Sequence, residues 1–331
     1  MDANNNTNRS DYSNNSDQVN MPSLVAIAAF VILVNSVVIF LFCRSETLRR
    51  NTSNYLLLSL AISDLMTGAV NIPIFLGCIR TRGKLICSLV NTFHQFTAIS
   101  TCYHILVITM DKYYAICRPL KKRVAYLKPV YCKVLCAVWI GSAIIAFAGY
   151  AVEKIKGPNL IYGSFSLVAI LAIPYTVMVW AYVVMFRKIR QNRKNVSRHR
   201  NRASSQAKCL AVFASMAILY AACWTPWYIT IFLYRLKIAH LHLLFEPLTY
   251  IRYATSLINP ILYTWLKADF LAECKLIFLT SARKKPSNSL STYMRNKHLF
   301  SSIRQKNEDL ADNGNEVACI GDNNSILSTT A

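Results

Sequence analysis

Polar and ionisable side chains interrupt long apolar runs at several points in this sequence. Asp64 stands within NYLLLSLAISDLM, Asn35 within ILVNSVV, and Asn259 precedes Pro260 in SLINPILYTW. A charge at the centre of a bilayer costs about 2.5–3.5 kcal/mol on insertion scales, so such residues face protein or water. Their oxygen atoms are suited to a hard cation. Each one alone is also explained as a satisfied packing contact between helices.

Arg252 and His94 have the chemistry of an anion site. Arg252 shares a helix face with Asn259, because residues at i+7 return to the same side of a helix. A guanidinium beside an imidazole would anchor a carboxylate or a phosphate. An internal salt bridge from Arg252 to Asp64 or Glu246 is the alternative, and it is the interpretation that we favour.

An acid–base–aromatic triplet, Asp111, Lys112 and Tyr113, follows an apolar run. At the end of a membrane helix this triplet would lie at the boundary between lipid and water. Pro119 then blocks simple helical continuation, and a basic cluster comes after it. The stretch is therefore predicted to be the end of a membrane helix and the start of a loop.

Seven apolar segments must position these residues, and each has about the 20 residues that are needed to cross a bilayer. They span roughly 23–43, 54–77, 87–111, 130–150, 161–186, 208–234 and 243–266. Only helices satisfy their backbone hydrogen bonds in lipid without closing a barrel. We therefore predict an all-α membrane protein, a seven-transmembrane helix bundle. The composition, 54% hydrophobic and 16% charged residues, disfavours a soluble domain.

Lysine and arginine concentrate in the segments 44–53, 112–129 and 187–207 and after residue 266. By the positive-inside rule these segments are cytosolic, so the N-terminus is extracellular and the C-terminus is cytosolic. The formal net charge of +22 then indicates anionic membrane lipid and a cytosolic partner, and no nucleic acid. Three sequons in the outer tail predict glycosylation at Asn5, Asn8 and Asn14.

Four regions follow from this topology. Residues 1–22 form an extracellular tail, residues 23–266 the helical core, and residues 267–279 a short amphipathic eighth helix on the inner membrane surface. Residues 280–331 are rich in serine, asparagine and charge, which predicts a disordered cytosolic tail. Cys274 on the eighth helix is a candidate for lipidation, and an unmodified thiol is an equal alternative.

Enzymes, transporters and metalloproteins leave patterns that this sequence lacks. The eleven cysteines are scattered without a CxxC pair, so the sequence predicts neither a zinc site nor a disulfide-dense scaffold. A membrane enzyme would need a catalytic motif such as HExxH, and a transporter of this size would show paired repeats. Neither pattern is present, so we predict that the protein is not an enzyme.

Read in order, the motifs resemble those of rhodopsin-like (class A) G-protein-coupled receptors over about residues 23–279. The residues that carry the resemblance are Asn35, Asp64, Asp111-Lys112-Tyr113, Trp139, Pro174 with Tyr182, Cys223-Trp224-Thr225-Pro226, and Asn259-Pro260-Ile261-Leu262-Tyr263. The resemblance implies a plasma-membrane receptor in which an extracellular ligand shifts the helix bundle and activates a heterotrimeric G protein. Arrestin and a receptor kinase are further implied partners, acting at a serine-rich tail.

The resemblance also implies roles for individual residues. The implied ligand contacts are His94, Thr97, Trp224, Thr249, Arg252 and Tyr253. The implied activation switch, which includes a structural sodium site, comprises Asn35, Asp64, Thr101, Trp224, Pro226, Ser256, Asn259, Pro260 and Tyr263. The implied G-protein-facing residues are Asp111, Lys112, Tyr113 and Tyr182. Rotation of Trp224 would bias the sixth helix outward about the bend at its proline.

Two departures from the family pattern concern signalling. Lys112 stands where the family has an arginine, and lysine lacks the planar fork that hydrogen-bonds to a partner carbonyl. Gln206 stands where many members have an acid that locks the third helix to the sixth. We therefore predict raised basal activity in a receptor that couples through Lys112.

The extracellular disulfide of the family also lacks its usual partner. Cys87 matches the cysteine at the outer end of the third helix, but residues 151–162 contain no cysteine. A bridge from Cys78 to Cys87 is one alternative, and two free thiols are the alternative that we favour.

The ligand is constrained by two positions. His94 occupies the place where amine receptors carry an aspartate, which disfavours a simple biogenic amine. The seventh segment contains no lysine, so a retinal Schiff base is excluded. A small acid or lipid is the predicted ligand. A peptide ligand, or a non-signalling or transporter-type seven-helix protein, is the alternative.

Overall fold

In its described residues, this computed structural model contains seven long helices and one shorter helix, numbered α1–α8 in chain order, and a one-turn helix, Glu46–Arg50, that follows α1. Their bounds are α1 Met21–Arg44, α2 Ser53–Thr81, α3 Lys84–Cys117, α4 Lys128–Lys156, α5 Ile173–Asn195, α6 Arg200–Arg235, α7 His242–Leu266 and α8 Ala268–Arg283. The structure describes residues 20–118, 128–156, 167–195, 200–236 and 242–283. The sequons at Asn5, Asn8 and Asn14 and the tail after residue 283 lie outside this part of the chain.

Local sequence explains where several helices begin and turn. The Asn20 side chain accepts a hydrogen bond from the Ser23 backbone N–H at the start of α1, where a proline also favours helix initiation. Ser45 caps a short helix, Glu46–Arg50, between α1 and α2. Each predicted apolar segment corresponds to one long helix, and most helices extend beyond the predicted bounds into the aqueous boundary.

The exposed surface of the helices is apolar, the reverse of a soluble bundle. Phe30, Leu33, Ile144, Val179 and Ile218 are each more than half exposed. Many buried side chains are polar instead. Lipid tails solvate such an apolar exterior, whereas in water it would drive association. This distribution identifies the outer faces of the helices as membrane-facing surfaces.

Five stretches of the described chain are long and apolar enough to cross a membrane by length and composition alone: Met21–Arg44, Ser53–Thr81, Pro129–Val152, Ile170–Asn192 and Gln206–Tyr234. The remaining two long helices, α3 and α7, are also long enough to span, but they bury polar side chains within the bundle. Those of α3 include His94, Ser100 and His104, and those of α7 include Arg252, Ser256 and Asn259. The two long helices that are not among these five stretches are therefore the ones that carry the candidate site.

The α3 helix lies at the centre of the bundle, in contact with α2, α4, α5 and α6. One apolar core joins α3 to α5 and α6 through residues such as Ile105, Met178 and Tyr220. A second core joins the inner ends of α1, α2, α6 and α7 and includes Leu60 and Tyr263. A side chain on α3 is consequently positioned by four neighbouring helices.

Widened π turns interrupt two helices next to proline residues. In α2 the π turn Thr67–Asn71 precedes Pro73, and before α5 the π turn Val168–Ala172 precedes Pro174. A π turn inserts an extra residue into the helix and rotates the side chains that follow it. The turn in α2 ends at Asn71, which is buried inside the bundle.

A disulfide joins Cys78, in the last turn of α2, to Cys87, in the first turn of α3. The expectation of two free thiols is therefore wrong. Arg82 ends α2 in the left-handed backbone conformation, with φ of 50°, and this tight reversal brings the two cysteines to a Cα–Cα distance of 4.9 Å. Loop-closing geometry of this kind cannot be seen in cysteine spacing alone.

Candidate functional site

Arg252 and His94 meet in the buried interior between α7 and α3. The Arg252 Nη1 atom lies 2.6 Å from His94 Nε2, and both residues are less than a tenth exposed. The favoured salt bridge from Arg252 to Asp64 or Glu246 is replaced by this contact. Asp64 Oδ2 accepts from Asn259, and Glu246 Oε1 accepts from a neighbouring tyrosine. A guanidinium hydrogen-bonded to a histidine is a donor-rich, cationic site.

Aromatic rings enclose this pair. The Arg252 guanidinium carbon lies 3.7 Å from the Trp227 ring centroid and 5.0 Å from that of Tyr253. The His94 ring stacks on Trp224 with centroids 5.0 Å apart. Such faces stabilise a cation and exclude water, so hydrogen bonds inside the enclosure are stronger than at the surface. The arrangement is suited to bind an anion by charge-assisted hydrogen bonds.

The other predicted ligand residues lie around the pair in different ways. The Tyr253 ring is 5.9 Å from the His94 ring, centroid to centroid. Thr97 Oγ1 lies 3.2 Å from the side-chain nitrogen of Asn71, which also approaches His94 Nδ1 to 3.2 Å. The Thr249 hydroxyl donates to the Phe245 carbonyl of its own helix, and this hydrogen bond does not involve Arg252 or His94.

A polar chain lies deeper in the bundle and links α1, α2 and α7. Asn35 Nδ2 donates to the Ser256 carbonyl at 3.0 Å, and Asn259 Nδ2 donates to Asp64 Oδ2 at 3.1 Å. The hydroxyls of Ser256 and Thr101 are also within reach of the Asp64 carboxylate. Asp64 Oδ1 has no hydrogen-bond partner among the described residues, although it is fully buried. Three predicted switch residues therefore surround the Asp64 carboxylate, whose unpaired oxygen a hard cation would satisfy. They are Thr101, Ser256 and Asn259.

Transition metals have no comparable place in the described part of the chain, where no cluster of three histidine, cysteine or acidic side chains exists. The oxygen set around Asp64 instead fits sodium, because carboxylate and hydroxyl oxygens are the ligands of hard cations.

The stacked rings of Trp224 and Tyr220 connect the Arg252–His94 pair to α6. Trp224 Nε1 donates to Thr255 Oγ1 at 3.3 Å, and the Trp224 ring stacks on Tyr220 with centroids 5.5 Å apart. Tyr220 Oη in turn donates to the Ala98 carbonyl of α3 at 2.7 Å. Movement at His94 would reach α6 through these contacts, close to the interruption that Pro226 makes in its hydrogen-bond ladder.

A histidine network joins α2, α3 and α4 on the other side of the bundle. His104 Nδ1 lies 2.7 Å from the Ser100 carbonyl, and its Nε2 lies 2.7 Å from Ser59 Oγ. Trp139 Nε1 donates to the same Ser59 hydroxyl at 3.0 Å. A carbonyl only accepts, so the proton of neutral His104 is on Nδ1.

At the predicted cytosolic end, Asp111 ties three helices together. It accepts from Ser53 Oγ at 2.8 Å and from Tyr131 Oη at 2.6 Å, and it pairs with Lys112 at 3.1 Å. The Lys112 ammonium also lies 5.0 Å from the Phe213 ring centroid of α6. Lys112 therefore contacts the sixth helix through an aromatic ring rather than through an acid.

Three tyrosines are buried near this end, Tyr263 of the predicted switch and Tyr113 and Tyr182 of the predicted G-protein-facing set. Tyr182 Oη lies 3.0 Å from Thr109 Oγ1 of α3. The Tyr263 ring packs edge-on against Phe270 of α8, with centroids 5.8 Å apart. Tyr113 packs against Trp180 of α5 at 5.1 Å.

The junction of α7 and α8 holds a buried ion pair. Lys267 Nζ donates to Asp269 Oδ2 at 2.7 Å and to the Asn54 side chain at the start of α2. Burial lowers the pKa of the Lys267 ammonium, while Asp269 acts in the opposite direction. The contact fixes the start of α8 against the start of α2.

Comparison with known proteins decides the family. The model of the seven-transmembrane receptors of the rhodopsin family matches residues 34–263 of this chain. The chain belongs to this family. It is therefore a G-protein-coupled receptor and a multi-pass membrane protein, and the transporter-type alternative is excluded.

Several curated receptors are similar to this receptor at about one residue in four. The histamine H2 receptor of Canis lupus familiaris is 25% identical over 305 residues, covering 84% of each chain. The human histamine H2 receptor is 24% identical and covers 83% of each chain. Human trace amine-associated receptor 2 is 26% identical over 314 residues, covering 82% of this chain and 88% of its own.

Sequence reasoning missed several residues of the receptor site. Asn71 is an amide within an apolar run, the same signal that identified Asn35, and it contacts His94. Trp227 follows the recognised Trp224-Thr225-Pro226 string but had no assigned role. Lys267 was treated as part of an amphipathic surface helix, although it is 2% exposed. Its two partners, Asn54 and Asp269, are 215 positions apart in sequence, so only the fold brings them together.

Proposed function

We propose that this receptor is activated by a small acidic ligand, a carboxylate or a phosphate. The contact of Arg252 with His94 at 2.6 Å, inside an aromatic enclosure, is the observation that supports this proposal most strongly. Guanidinium groups recognise carboxylate and phosphate oxygens through paired N–H donors. Trp224 and Tyr253 contribute apolar faces for the remainder of the ligand, which suits an aromatic or aliphatic acid.

The same contact disfavours an amine. The names of the similar receptors identify histamine and trace amines as ligands of those proteins. In this receptor an ammonium at the pocket would meet the Arg252 guanidinium. Two like charges about 4 Å apart repel by about 4 kcal/mol at an effective dielectric constant of 20. An acid in the same place gains attraction of similar size.

Activation would pass from the ligand to α6. An acid that binds Arg252 competes for the N–H donor that Arg252 presents to His94 Nε2. The His94 ring in turn stacks on Trp224. The Trp224 indole is joined to both α7 and Tyr220, and Pro226 makes α6 deformable at the next turn. Outward movement of the cytosolic half of α6 then admits the G protein beside Asp111, Lys112, Tyr113 and Tyr182.

Topology and partners complete the proposal. The distribution of basic residues supports a plasma-membrane receptor with an extracellular N-terminus, glycosylated at the predicted sequons, and a cytosolic C-terminus. The serine-rich tail is a substrate for a receptor kinase and a site for arrestin once it is phosphorylated. Cys274 on α8 is the candidate lipid attachment site.

Sodium at Asp64 would stabilise the resting arrangement. The proposal rests on the fully buried Asp64 carboxylate, whose Oδ1 has no partner among the described residues. Replacing NaCl with N-methylglucamine chloride should raise basal signalling of the wild type. Asp64→Asn should remove this dependence, and an unchanged sodium response in the variant would contradict the site.

The ligand class is tested in cells that express the wild type, Arg252→Ala and Arg252→Lys. Cyclic AMP, calcium and inositol phosphate are measured while aliphatic acids, aromatic acids, organic phosphates and a matched set of amines are applied. We expect a response to an acid that Arg252→Ala abolishes and that Arg252→Lys weakens by about tenfold or more, since lysine retains charge but not the fork. A response to an amine at wild-type potency in Arg252→Ala would overturn the proposal.

A further inference from the structure

Asn71 lies against the side of His94 opposite to Arg252. The Asn71 side-chain amide approaches His94 Nδ1 to 3.2 Å, while Arg252 Nη1 lies 2.6 Å from His94 Nε2. All three side chains are buried, and they come from α2, α3 and α7. The imidazole is therefore held at both ring nitrogens by groups from different helices.

The Arg252 contact determines which ring nitrogen is protonated. Arginine has only N–H donors and remains charged, so the atom that faces Nη1 must be an acceptor. His94 Nε2 consequently carries the lone pair of a neutral imidazole, and the proton is on Nδ1. The opposite tautomer would place two donors 2.6 Å apart.

The tautomer in turn determines the orientation of the Asn71 amide. An N–H at His94 Nδ1 requires an acceptor, and the amide oxygen is the acceptor that Asn71 offers. Amide oxygen and nitrogen positions are assigned from the hydrogen-bond network, and this network places Oδ1 towards the ring. In this arrangement the single proton of the Thr97 hydroxyl, 3.2 Å from the same amide atom, turns towards that oxygen and away from the backbone carbonyls of Phe93 and His94, which lie 3.1 and 3.2 Å away.

Backbone geometry explains why Asn71 reaches the ring. Asn71 is the last residue of the π turn Thr67–Asn71, two positions before Pro73. The extra residue of a π turn rotates the side chains after it by comparison with a regular helix. The turn is thus the local feature that directs an α2 amide towards α3.

We propose that Asn71 is a positioning residue of the ligand site. Its amide oxygen holds His94 in the Nδ1–H tautomer, so that Nε2 accepts from Arg252 and orients the guanidinium against Trp227. The role in ligand recognition rests on the proposed function, in which Arg252 binds an acid. The tautomer and its dependence on Asn71 are properties of the receptor without ligand.

Histidine ¹⁵N NMR of the full-length receptor in lipid nanodiscs tests the proposal at pH 8 without ligand. His104 is an internal reference, since its Nδ1 donates to the Ser100 carbonyl at 2.7 Å. We expect His94 to show a protonated Nδ1 and an unprotonated Nε2, as His104 does. His94→Gln and His104→Gln assign the two signals among the six histidines.

Two substitutions at Asn71 separate positioning from packing. Asn71→Leu fills a similar volume but leaves the Nδ1–H of His94 buried without an acceptor. That loss disfavours the Nδ1–H tautomer and, with it, the Arg252 contact that needs an unprotonated Nε2, so the His94 signal should be averaged over both tautomers. Asn71→Asp keeps an acceptor oxygen, and it should retain the proton on Nδ1. An unchanged His104 signal in each variant reports that the fold is intact.

A ligand titration then links the tautomer to recognition. Benzoate is added to the same samples as a minimal aromatic acid, and its binding is followed at the His94 signal. Asn71→Leu should weaken benzoate binding by about tenfold, the effect of one lost buried hydrogen bond.

The outcomes distinguish the two proposals. A wild-type His94 protonated on Nε2, or an Asn71→Leu spectrum identical to that of the wild type, overturns the role of Asn71. Absence of benzoate binding and of any acid response, with the expected spectra, overturns the acidic ligand and leaves the positioning role established.

Discussion

Lys112 holds its charge between an acid on its own helix and an aromatic ring on α6. Its ammonium lies 3.1 Å from Asp111 and 5.0 Å from the Phe213 ring centroid. Lys112 is 7% exposed, and a desolvated cation–π contact contributes about 2 kcal/mol, but it lacks the two directional hydrogen bonds of a bidentate ion pair. The restraint between α3 and α6 is therefore weaker at this point than a guanidinium–carboxylate lock.

The double substitution Lys112→Arg with Gln206→Glu should lower basal signalling. It supplies the fork and the acid that such a lock requires, and a favourable pair would shift the resting population by about two- to fivefold. Ligand-independent cyclic AMP, calcium and inositol phosphate are compared with those of the wild type and of each single variant, at equal surface expression. Basal signals in the double variant equal to the product of the single effects would contradict this coupling.

The helices α3 and α6 are joined again at mid-membrane by Tyr220. Its hydroxyl donates to the Ala98 carbonyl at 2.7 Å, and its ring continues the stack from Trp224. An outward swing of α6 must break this hydrogen bond. The bond is consequently a restraint on the resting state that activation removes.

Tyr220→Phe should raise basal signalling by about threefold to tenfold, because a net hydrogen bond contributes about 0.5–1.5 kcal/mol to the resting state. Tyr175→Phe is the matched control. The Tyr175 hydroxyl is buried on α5 without a hydrogen-bond partner among the described residues, and its ring lies 6.4 Å from Tyr220. Equal effects of the two substitutions on basal signal would show that the Ala98 contact is not a restraint.

The short helix α8 is held by a charge inside the protein as well as by its apolar face. Lys267 is 2% exposed and pairs with Asp269, while its second contact, Asn54, belongs to α2. Removal of one member of a buried ion pair costs more than the pair contributes, because the remaining charge has no compensation.

Lys267→Met should lower the free energy of unfolding by about 3 kcal/mol. Thermal unfolding of the purified receptor measures the loss, and the exposed Lys275→Met on the same helix should leave it unchanged. Adding Asp269→Leu to Lys267→Met should recover part of the stability. A double variant less stable than Lys267→Met would refute the proposed compensation.

Across the whole molecule, the disulfide at the α2–α3 corner fixes the N-terminal end of the central helix, α3. It closes a loop with a sequence separation of nine residues between Cys78 and Cys87. Loops of about this length gain about 2.5 kcal/mol from cross-linking in the chain-entropy description. Since α3 contacts four other helices and carries His94, the bond fixes one end of the helix that positions the candidate site.

Cys78→Ser, Cys87→Ser and the double substitution should each lower the free energy of unfolding by about the same 2.5 kcal/mol. All three remove one and the same bond, so their effects should not add. Thermal unfolding and cell-surface expression provide the measurements, with Cys43→Ser, an exposed free cysteine, as the control. Additive losses would indicate that the two thiols act independently.

Apolar length was enough to predict the seven helices, and the resemblance to the receptor family was what associated Asp64 with Asn259. The same reasoning placed Arg252 on the inward face of α7 but assigned it to an acid. Helical spacing gives the face of a residue, while the partner depends on how three helices cross. The Asn71 contact and the Cys78–Cys87 bond depend on a π turn and on a left-handed residue, and neither has a periodic signature.

The contact between Arg252 and His94 also constrains how ligand preference evolves. His94→Asp alone would give the arginine an internal counter-ion, and the new carboxylate would be unavailable to an amine. Arg252→Ala alone removes the acid anchor and leaves a neutral imidazole. A change from acid to amine recognition therefore requires both substitutions, and each single intermediate loses the old preference before the new one exists. The proposed function thus predicts that the two positions are epistatic, with the selectivity of the pocket depending on both residues together.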